Sequence, residues 1–186
     1  MIRRIVMALA FAAVAVAVPT VAASPASAAP CQDSDPWRGP YWWAGVDATN
    51  DASERMVLAS TPPWSRGSTA YMWEYNNDNR QKWWMDCTSP GIYKMRLASD
   101  TLACLTENGR GLPARLWPCD WSDEGMFWLQ QAAGSTYTTH DGIVPRSYRF
   151  VSSCSGDCLD VHGGGSANGT MVTTWACTSG DNQRWY

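Results

Sequence analysis

Basic residues are scarce in this chain of 186 residues, which carries 14 Lys and Arg against 17 Asp and Glu. Arg3 and Arg4 stand in an N-terminal segment that we expect to be removed, which leaves 12 basic and 17 acidic residues and a net charge of −5. Nucleic acid and anionic membranes bind proteins through clustered Lys and Arg. The charge therefore argues against both as partners.

An apolar run long enough to cross a membrane is also lacking. The run from Ile5 to Val18 has 14 residues and ends at Pro19, whereas a spanning helix needs roughly 20. The pair Arg3-Arg4 before this run and the small residues Ala26-Ser27-Ala28 after it are typical of a secretory signal. We therefore predict a cleaved signal peptide at 1–28 and a secreted, extracellular protein.

Removal of the predicted signal leaves 158 residues, which is enough for one domain with its own core. We divide this part into an N-terminal segment at 29–40 and one domain at 41–186. A lipid anchor on Cys31 is an alternative to free secretion. However, Pro30 stands where lipoprotein signals carry a small residue, so we prefer the cleaved signal.

Histidine is rare, since the chain has only two, and a nucleophilic catalytic set is poorly supported. His140-Asp141 could be combined with Ser135, but the strand-turn-helix elbow and the glycine pattern of an oxyanion hole are lacking. The second histidine, His162, follows Asp160 by two positions. Neither histidine is predicted to be catalytic.

Acidic residues offer a second route to catalysis. Asp120, Asp123 and Glu124 cluster near Trp121, but a glycoside hydrolase also needs a cleft and a carboxyl with a raised pKa. No group of His and Cys completes four metal ligands around Cys154. We predict a non-enzymatic protein without catalytic residues, metal or cofactor.

An internal threefold repeat is the most informative pattern that is present. Two copies coincide at an offset of 102 residues, with Gly67, Trp73, Gln81 and Trp83 falling on Gly169, Trp175, Gln183 and Trp185. A third copy between them contains Cys104-Leu105, Trp117-Pro118-Cys119 and Trp128 in the same order. We call the three copies the first, second and third lobes in chain order. Such self-similarity indicates a fold built from three equivalent units.

The seven cysteines all follow the predicted signal, and an exported chain meets an oxidising compartment, so disulfides are expected. Two pairs occupy equivalent places in the second and third lobes, namely Cys104 with Cys119 and Cys158 with Cys177. In the first lobe the offset places Met56 and Tyr75 there, so both cysteines are missing together, as a bonded pair predicts. Of the other three, we favour a bond between Cys31 and Cys87, which leaves Cys154 free.

Short strands separated by turns account for the secondary structure. The segments Tyr93 to Leu97, Tyr148 to Val151 and Met171 to Trp175 are rich in β-branched and aromatic residues, and no sustained helical period follows the signal. The connection to the third lobe is longer than the one before it. We predict an exposed loop within 130–146 because this segment is rich in Ala, Gly, Ser and Thr.

The third lobe resembles the signature of ricin B-chain-type lectins, which also occur as carbohydrate-binding modules on secreted hydrolases. The matching pieces are Cys158-Leu-Asp-Val, Ala167-Asn-Gly-Thr, Trp175-Ala-Cys177 and Asn182-Gln-Arg-Trp185. The resemblance extends over about 41–186. It implies an all-β fold, a β-trefoil with three pseudo-repeats that is stapled here by disulfides. It also implies that Trp83, Trp128 and Trp185 are core residues.

The same resemblance implies a sugar pocket in the third lobe. A pyranose has an apolar C–H face and a rim of hydroxyls, so its pocket needs an aromatic plate beside polar acceptors and donors. Asp160 matches the family's carboxylate, Trp175 its plate and Asn182 its amide. Gln183 is also a candidate for sugar contact, although a structural role suits it better, and His162 either edges the pocket or faces water. The expected partner is a glycan or polysaccharide of galactose or xylose type.

The other two lobes have lost parts of this set. At an offset of 102, the first lobe has Leu58 in place of the carboxylate and Arg80 in place of the amide. The second has Thr106 and Gly125 there, with Met126 in place of the glutamine. We therefore predict one main pocket, in the third lobe, and packing roles for Trp73 and Trp117.

Tryptophan is abundant, with 12 in the chain, which exceeds what three lobes require. Trp121 lies in the loop-like segment Asp120-Trp-Ser-Asp, so it is the strongest candidate for an exposed functional residue outside the repeat positions. Five others could extend a platform or fill the core: Trp37, Trp42, Trp43, Trp64 and Trp84. These residues support the alternative of a degenerate trefoil that binds a protein, for instance as an inhibitor, and has lost its sugar.

Overall fold

The computed structural model describes residues 37–49, 55–61, 65–134, 137–139, 142–144 and 146–186. The predicted signal peptide, Cys31 and Trp64 lie outside these residues, as does the candidate set Ser135, His140 and Asp141. Within the described part of the chain, no helix is long and apolar enough to cross a membrane.

Strands and short 3₁₀ turns make up all the regular structure described. The strands are β1 Trp37–Tyr41, β2 Ala44–Thr49, β3 Arg55–Ser60, β4 Ala70–Glu74, β5 Trp83–Ser89, β6 Ile92–Leu97, β7 Ala103–Thr106, β8 Arg115–Pro118, β9 Trp128–Gly134, β10 Tyr137–Thr139, β11 Gly142–Val144, β12 Ser147–Ser152, β13 Cys158–Val161 and β14 Val172–Trp175. The 3₁₀ turns are Asn79–Gln81, Glu124–Met126, His162–Gly164 and Asp181–Gln183.

The strands repeat one arrangement three times. Each lobe contains an antiparallel hairpin, formed by β3 with β4, β7 with β8 and β13 with β14. Between the hairpins, longer strands pair so that a tyrosine faces a tryptophan once per lobe: Tyr41 and Trp83, Tyr93 and Trp128, Tyr148 and Trp185. The fold is therefore the predicted β-trefoil.

The three repeated tryptophans lie in the core, as the resemblance implied. Trp83, Trp128 and Trp185 are fully buried, and each indole Nε1–H needs a partner because an unpaired buried donor is costly. The partners are equivalent backbone carbonyls. Trp83 donates to Leu58 over 3.0 Å, Trp128 to Leu105 over 3.0 Å and Trp185 to Leu159 over 3.2 Å.

This hydrogen-bond pattern corrects the sequence register in the first lobe by one residue. Trp73 faces Val57 across its hairpin, while Trp117 faces Cys104 and Trp175 faces Cys158. Ala59, and not Leu58, is therefore the counterpart of Asp160. Likewise Val57 with Tyr75, and not Met56, occupies the disulfide position.

The cause is a hairpin turn one residue shorter in the first lobe than in the third, since Ser60 faces Ala70 but Val161 faces Val172. The shared Gly67 and Trp73 both follow the missing residue, so they give no sign of it. Side chains alternate between the faces of a strand, so the slip changes the environment completely. Leu58 is fully buried in the core, whereas Ala59 lines a surface pocket.

Both predicted disulfides of the repeat are formed, between Cys104 and Cys119 and between Cys158 and Cys177. Cys87 is disulfide-bonded as well, and Cys31, its predicted partner, lies outside the described residues. Among the cysteines that the structure describes, Cys154 alone is free, and it is exposed.

The segment 130–146 is not the plain loop that its composition suggested. Strand β9 continues to Gly134, and β10 pairs with β11 so that Thr138 faces Ile143. Threonine, tyrosine, isoleucine and valine in this segment favour strands, and they outweigh its small residues. The prediction of an exposed loop was therefore wrong for these strands.

Candidate functional site

The third-lobe hairpin places Asp160 and Trp175 on the same face. Asp160 faces Thr173 across the hairpin, and Trp175 lies two residues further along β14 on the same side. The alternate residues Leu159 and Val161 point into the core. The strand pattern thus places the carboxylate and the indole together on the face away from the core.

Two amides hold the Asp160 carboxylate in place. Asn182 Nδ2 and Gln183 Nε2 each donate to Asp160 Oδ2 over 2.8 Å. No other hydrogen bond reaches this carboxylate within the described part of the chain, so Oδ1 is available as an acceptor. Burial raises the pKa of Asp160, while the bonds from Gln183 and Asn182 and the nearby His162 act in the opposite direction.

Gln183 lies behind the carboxylate and not at the surface. Its side chain is fully buried, its Oε1 accepts from the Thr178 backbone N–H over 2.7 Å, and its Nε2 donates to Asp160 and to the Ala176 carbonyl. The amide is fully engaged within the protein. The geometry therefore fits the structural role for Gln183, positioning Asp160, and leaves it no surface for a ligand.

Trp175 forms an exposed plate beside the second lobe. Its side chain is 48% exposed. The Gly111 amide donates to the Thr174 carbonyl over 2.7 Å, so a second-lobe turn lies next to the ring. A Cβ added at Gly111 would come within 2.8 Å of Trp175 Cζ3, so only glycine leaves the indole where it is.

The turn that follows β13 carries His162, which is exposed. Gly163 and Gly164 after it have positive φ values of 63° and 66°, a conformation that glycine adopts without strain. A Cβ added at Gly164 would lie 3.9 Å from Asn182 Cβ. The turn thus lies beside Asn182, and His162 is near Asp160 and open to water.

The second lobe has the plate but not the acceptor. The Thr106 hydroxyl donates to the Cys104 carbonyl over 3.1 Å, and the Arg66 guanidinium lies 5.2 Å from the centre of the Trp117 ring. Met126 replaces the glutamine and accepts a hydrogen bond at its sulfur from the Asp120 backbone N–H over 3.3 Å. The fold is maintained here while the sugar-binding groups are missing.

The first lobe contains a pocket of about 560 Å³ that the sequence did not predict. Ala59 at the carboxylate position leaves space, and Trp73, which is 39% exposed, forms one wall. Asp78 and Arg80 supply its charges. The sequence did not single out Asp78, because its counterpart in the third lobe is Gly180 and its signal is only its place two residues before Arg80.

Trp121 is exposed, as predicted for a loop residue, with 67% of its surface open. The ammonium of Lys94 lies 4.3 Å from the Trp121 ring centre and donates to the Asp120 carbonyl. Burial lowers the pKa of Lys94. Among the other extra tryptophans, Trp43 is buried.

No cluster of three or more potential metal-ligating residues occurs in the part of the chain that is described.

Solved structures share this fold over most of the chain. The designed protein ThreeFoil matches with a TM-score of 0.66 and 18% identity, covering 81% of this chain and 96% of its own. An exo-β-1,3-galactanase from Clostridium thermocellum matches with a TM-score of 0.64 and 16% identity over 78% of this chain. The C-half of an earthworm R-type lectin, in complex with GalNAc, matches with a TM-score of 0.56 and 15% identity, covering 80% and 97%.

At these low sequence identities, the matches show a shared fold and nothing more. This chain spans only 29% of the galactanase. No curated protein sequence matches the chain. A family model, described as ricin-type β-trefoil lectin domain-like, matches residues 136–186, which include all the third-lobe site residues. The chain is therefore a β-trefoil whose residues 136–186 match the model of the ricin-type β-trefoil lectin domain-like family.

Proposed function

We propose that this protein is a secreted, non-catalytic carbohydrate-binding protein whose main sugar pocket lies in the third lobe. The observation that carries the proposal is the Asp160 carboxylate, fixed by Asn182 and Gln183 on the same face as the exposed Trp175. The match of residues 136–186 to a lectin-like family supports it. So does the GalNAc complex of the earthworm lectin with the same fold.

The pocket binds by stacking and hydrogen bonding. The C–H face of a pyranose lies on the Trp175 indole, while one sugar hydroxyl donates to Asp160 Oδ1. A second hydroxyl bonds the Asn182 side-chain amide, which uses one of its two N–H groups for Asp160. Because Asp160 is already held at Oδ2, little ordering is required when the sugar arrives. The expected ligand is of galactose or xylose type.

The affinity of one such pocket is weak. An open site with one aromatic plate and a few hydrogen bonds gives a dissociation constant of about 0.1–10 mM, or about 3–5 kcal/mol. Binding to a polymer with repeated sugars is stronger in proportion to the number of units it offers.

A glycan and polysaccharide screen of the mature protein, followed by calorimetric titration, tests the proposal. Asp160→Ala removes the hydroxyl acceptor and Trp175→Ala removes the plate, so each variant is expected to lose third-lobe binding while remaining folded. The matched second-lobe variants Thr106→Ala and Trp117→Ala are expected to keep the affinity within about twofold. Full binding by Asp160→Ala, together with loss in Trp121→Ala, would reject the pocket and favour a protein- or polymer-binding platform.

The proposal that the protein is not an enzyme has its own measurement. Incubation with galactans, xylans and aryl glycosides is expected to release no product above the buffer level. Glu124→Gln and His140→Ala serve as reference variants. Turnover that disappears in either variant would assign a catalytic centre to the corresponding segment.

Secretion is tested at the N-terminus. Cleavage after Ala28 predicts that the exported protein begins at Ala29, which N-terminal sequencing reads directly. A mature protein that begins at a lipid-modified Cys31 would show the anchored alternative instead.

A further inference from the structure

The first-lobe pocket has a different polar set from the third-lobe site. In the third lobe the carboxylate comes from a strand, at Asp160. The equivalent strand position in the first lobe is Ala59, whose methyl group provides no acceptor and widens the pocket. The missing carboxylate is supplied from another place, by Asp78 immediately before the 3₁₀ turn Asn79–Gln81.

Arg80 holds this second carboxylate firmly. Its Nε donates to Asp78 Oδ1 over 3.1 Å and its Nη2 to Asp78 Oδ2 over 2.5 Å, while its backbone N–H also donates to Oδ1 over 2.9 Å. Arg80 occupies the position of Asn182, so both residues brace a carboxylate from the same point of the lobe. The bonds from Arg80 lower the pKa of Asp78 to about 2, so Asp78 is ionised near neutral pH.

Free capacity remains on both partners. Bidentate pairing engages Nε and Nη2, and Nη1 of Arg80 has no hydrogen bond among the described residues. A carboxylate has about four lone-pair positions, and Asp78 uses three for Arg80. The pair therefore offers an acceptor beside a donor, which is the complement of two neighbouring hydroxyl groups.

The aromatic wall of the pocket is fixed by its surroundings. Tyr71 packs edge-on against Trp73 with ring centres 5.6 Å apart, and the Tyr71 hydroxyl donates to the Ser60 carbonyl over 2.9 Å. The third-lobe residue Gly169 donates its N–H to the Met72 carbonyl over 2.9 Å. Trp73 is thus a supported, part-exposed plate and not a loose surface residue.

We propose that the first-lobe pocket is a second sugar site, in which Asp78 and Arg80 bind two neighbouring hydroxyls of a neutral pyranose that lies on Trp73. The ligand is neutral because the ion pair has no net charge and because the carboxylate of an acidic sugar would face Asp78. This inference rests on the proposed carbohydrate-binding function but uses residues that the third-lobe site does not share.

Indole N–H resonances measure the two sites separately. The Nε1–H signals of Trp73 and Trp175 are assigned in the full mature protein with Trp73→Phe and Trp175→Phe. Lactose and xylobiose are then titrated to about 50 mM, above the range expected for one pocket. At least one of these sugars is expected to shift both signals, with two distinct dissociation constants.

Variants then assign the polar groups. Asp78→Asn keeps the size of the side chain and an acceptor for the turn, and it is expected to weaken the Trp73 response tenfold or more, with the Trp175 response within twofold. Asp160→Ala is expected to do the reverse. Asp120→Asn, which changes an exposed second-lobe carboxylate that accepts from Ser122, is expected to change neither. Melting temperatures confirm that each variant is folded.

Each other outcome has one meaning. A Trp73 signal that stays still while Trp175 shifts rejects the first-lobe site and leaves the third-lobe proposal standing. A Trp73 shift without a Trp175 shift rejects the third-lobe pocket and retains this inference. A Trp73 response that is unchanged in Asp78→Asn, or that is stronger with galacturonate than with galactose, overturns recognition of a neutral sugar by the Asp78–Arg80 pair.

Discussion

The contact between Gly111 and Trp175 allows a test of the plate without changing any group that bonds the sugar. Gly111 has φ +76°, and a Cβ built there lies 2.8 Å from Trp175 Cζ3. Gly111→Ala therefore has two effects. It places an L-residue in the left-handed region, at about 1–2 kcal/mol, and it displaces the indole. Gly156 has nearly the same φ, +75°, with nothing within 4 Å of an added Cβ. Gly156→Ala thus has the backbone effect alone.

The two variants separate stability from binding. Both are expected to lower the melting temperature by about 2–8 °C, since 1 kcal/mol corresponds to about 2–4 °C for a domain of this size. A displaced plate loses most of an aromatic contact of about 0.5–1.5 kcal/mol, so Gly111→Ala is expected to weaken third-lobe binding by about 2- to 10-fold.

Titration calorimetry with the best ligand of the screen gives the affinity, and thermal unfolding gives the stability. Gly156→Ala is expected to bind as the parent protein does. The reasoning fails if Gly111→Ala binds with the parent affinity although its melting temperature falls as far as that of Gly156→Ala, because the plate would then have no part in binding.

Three further results are expected. As the pH falls from neutral, sugar binding at Trp175 is expected to be lost before binding at Trp73. Only an ionised carboxylate keeps all its acceptor positions, and burial raises the pKa of Asp160 whereas Arg80 lowers that of Asp78 to about 2. Simultaneous loss of both responses in indole titrations at falling pH would contradict this. Replacement of either disulfide pair by serines, Cys104 with Cys119 or Cys158 with Cys177, is expected to lower the free energy of unfolding by about 3 kcal/mol, because the bonds close loops of 15 and 19 residues. Chemical denaturation measures this change. Mass mapping of the unreduced protein that fails to find these two pairs would refute the repeat alignment. Lys94→Met is expected to make the Trp121 ring more mobile, because the ammonium that lies over the ring is removed. The fluorescence anisotropy should then decay faster than in the control variant Lys82→Met, and equal decay in both would show that Lys94 does not restrain the ring.

Much of the fold could be predicted from the sequence because the repeated residues make the same structural contacts in each lobe. The tryptophans bond equivalent carbonyls, and the cysteines join equivalent strands, so both kinds of residue keep a fixed spacing to the strands that they contact. In the part of the chain that the structure describes, the hairpin turn of the first lobe makes no such contact that fixes its length. Its loss of one residue was therefore invisible, and it moved the predicted counterpart of Asp160 from Ala59 to Leu58.

The third-lobe residues could be found from sequence because all of them stand in one signature. Asp78 could not, because its importance depends on the space left by Ala59 and on the three hydrogen bonds from Arg80, which only the folded chain brings together. The β10 and β11 hairpin was missed for a related reason. The loop was predicted from the overall composition of a long segment, in which the small residues outnumber the few strand-forming ones.

Each aromatic plate stands beside a turn that belongs to the preceding lobe. The amides of Gly67, Gly111 and Gly169 donate to the carbonyls of Leu116, Thr174 and Met72, the residues just before Trp117, Trp175 and Trp73. A pocket is thus a property of a seam between lobes, and a single repeat on its own would have half of one. An insertion in one lobe's turn is therefore expected to change the surroundings of the plate in the next lobe, and the seam beside Trp73 forms only where the third lobe packs against the first.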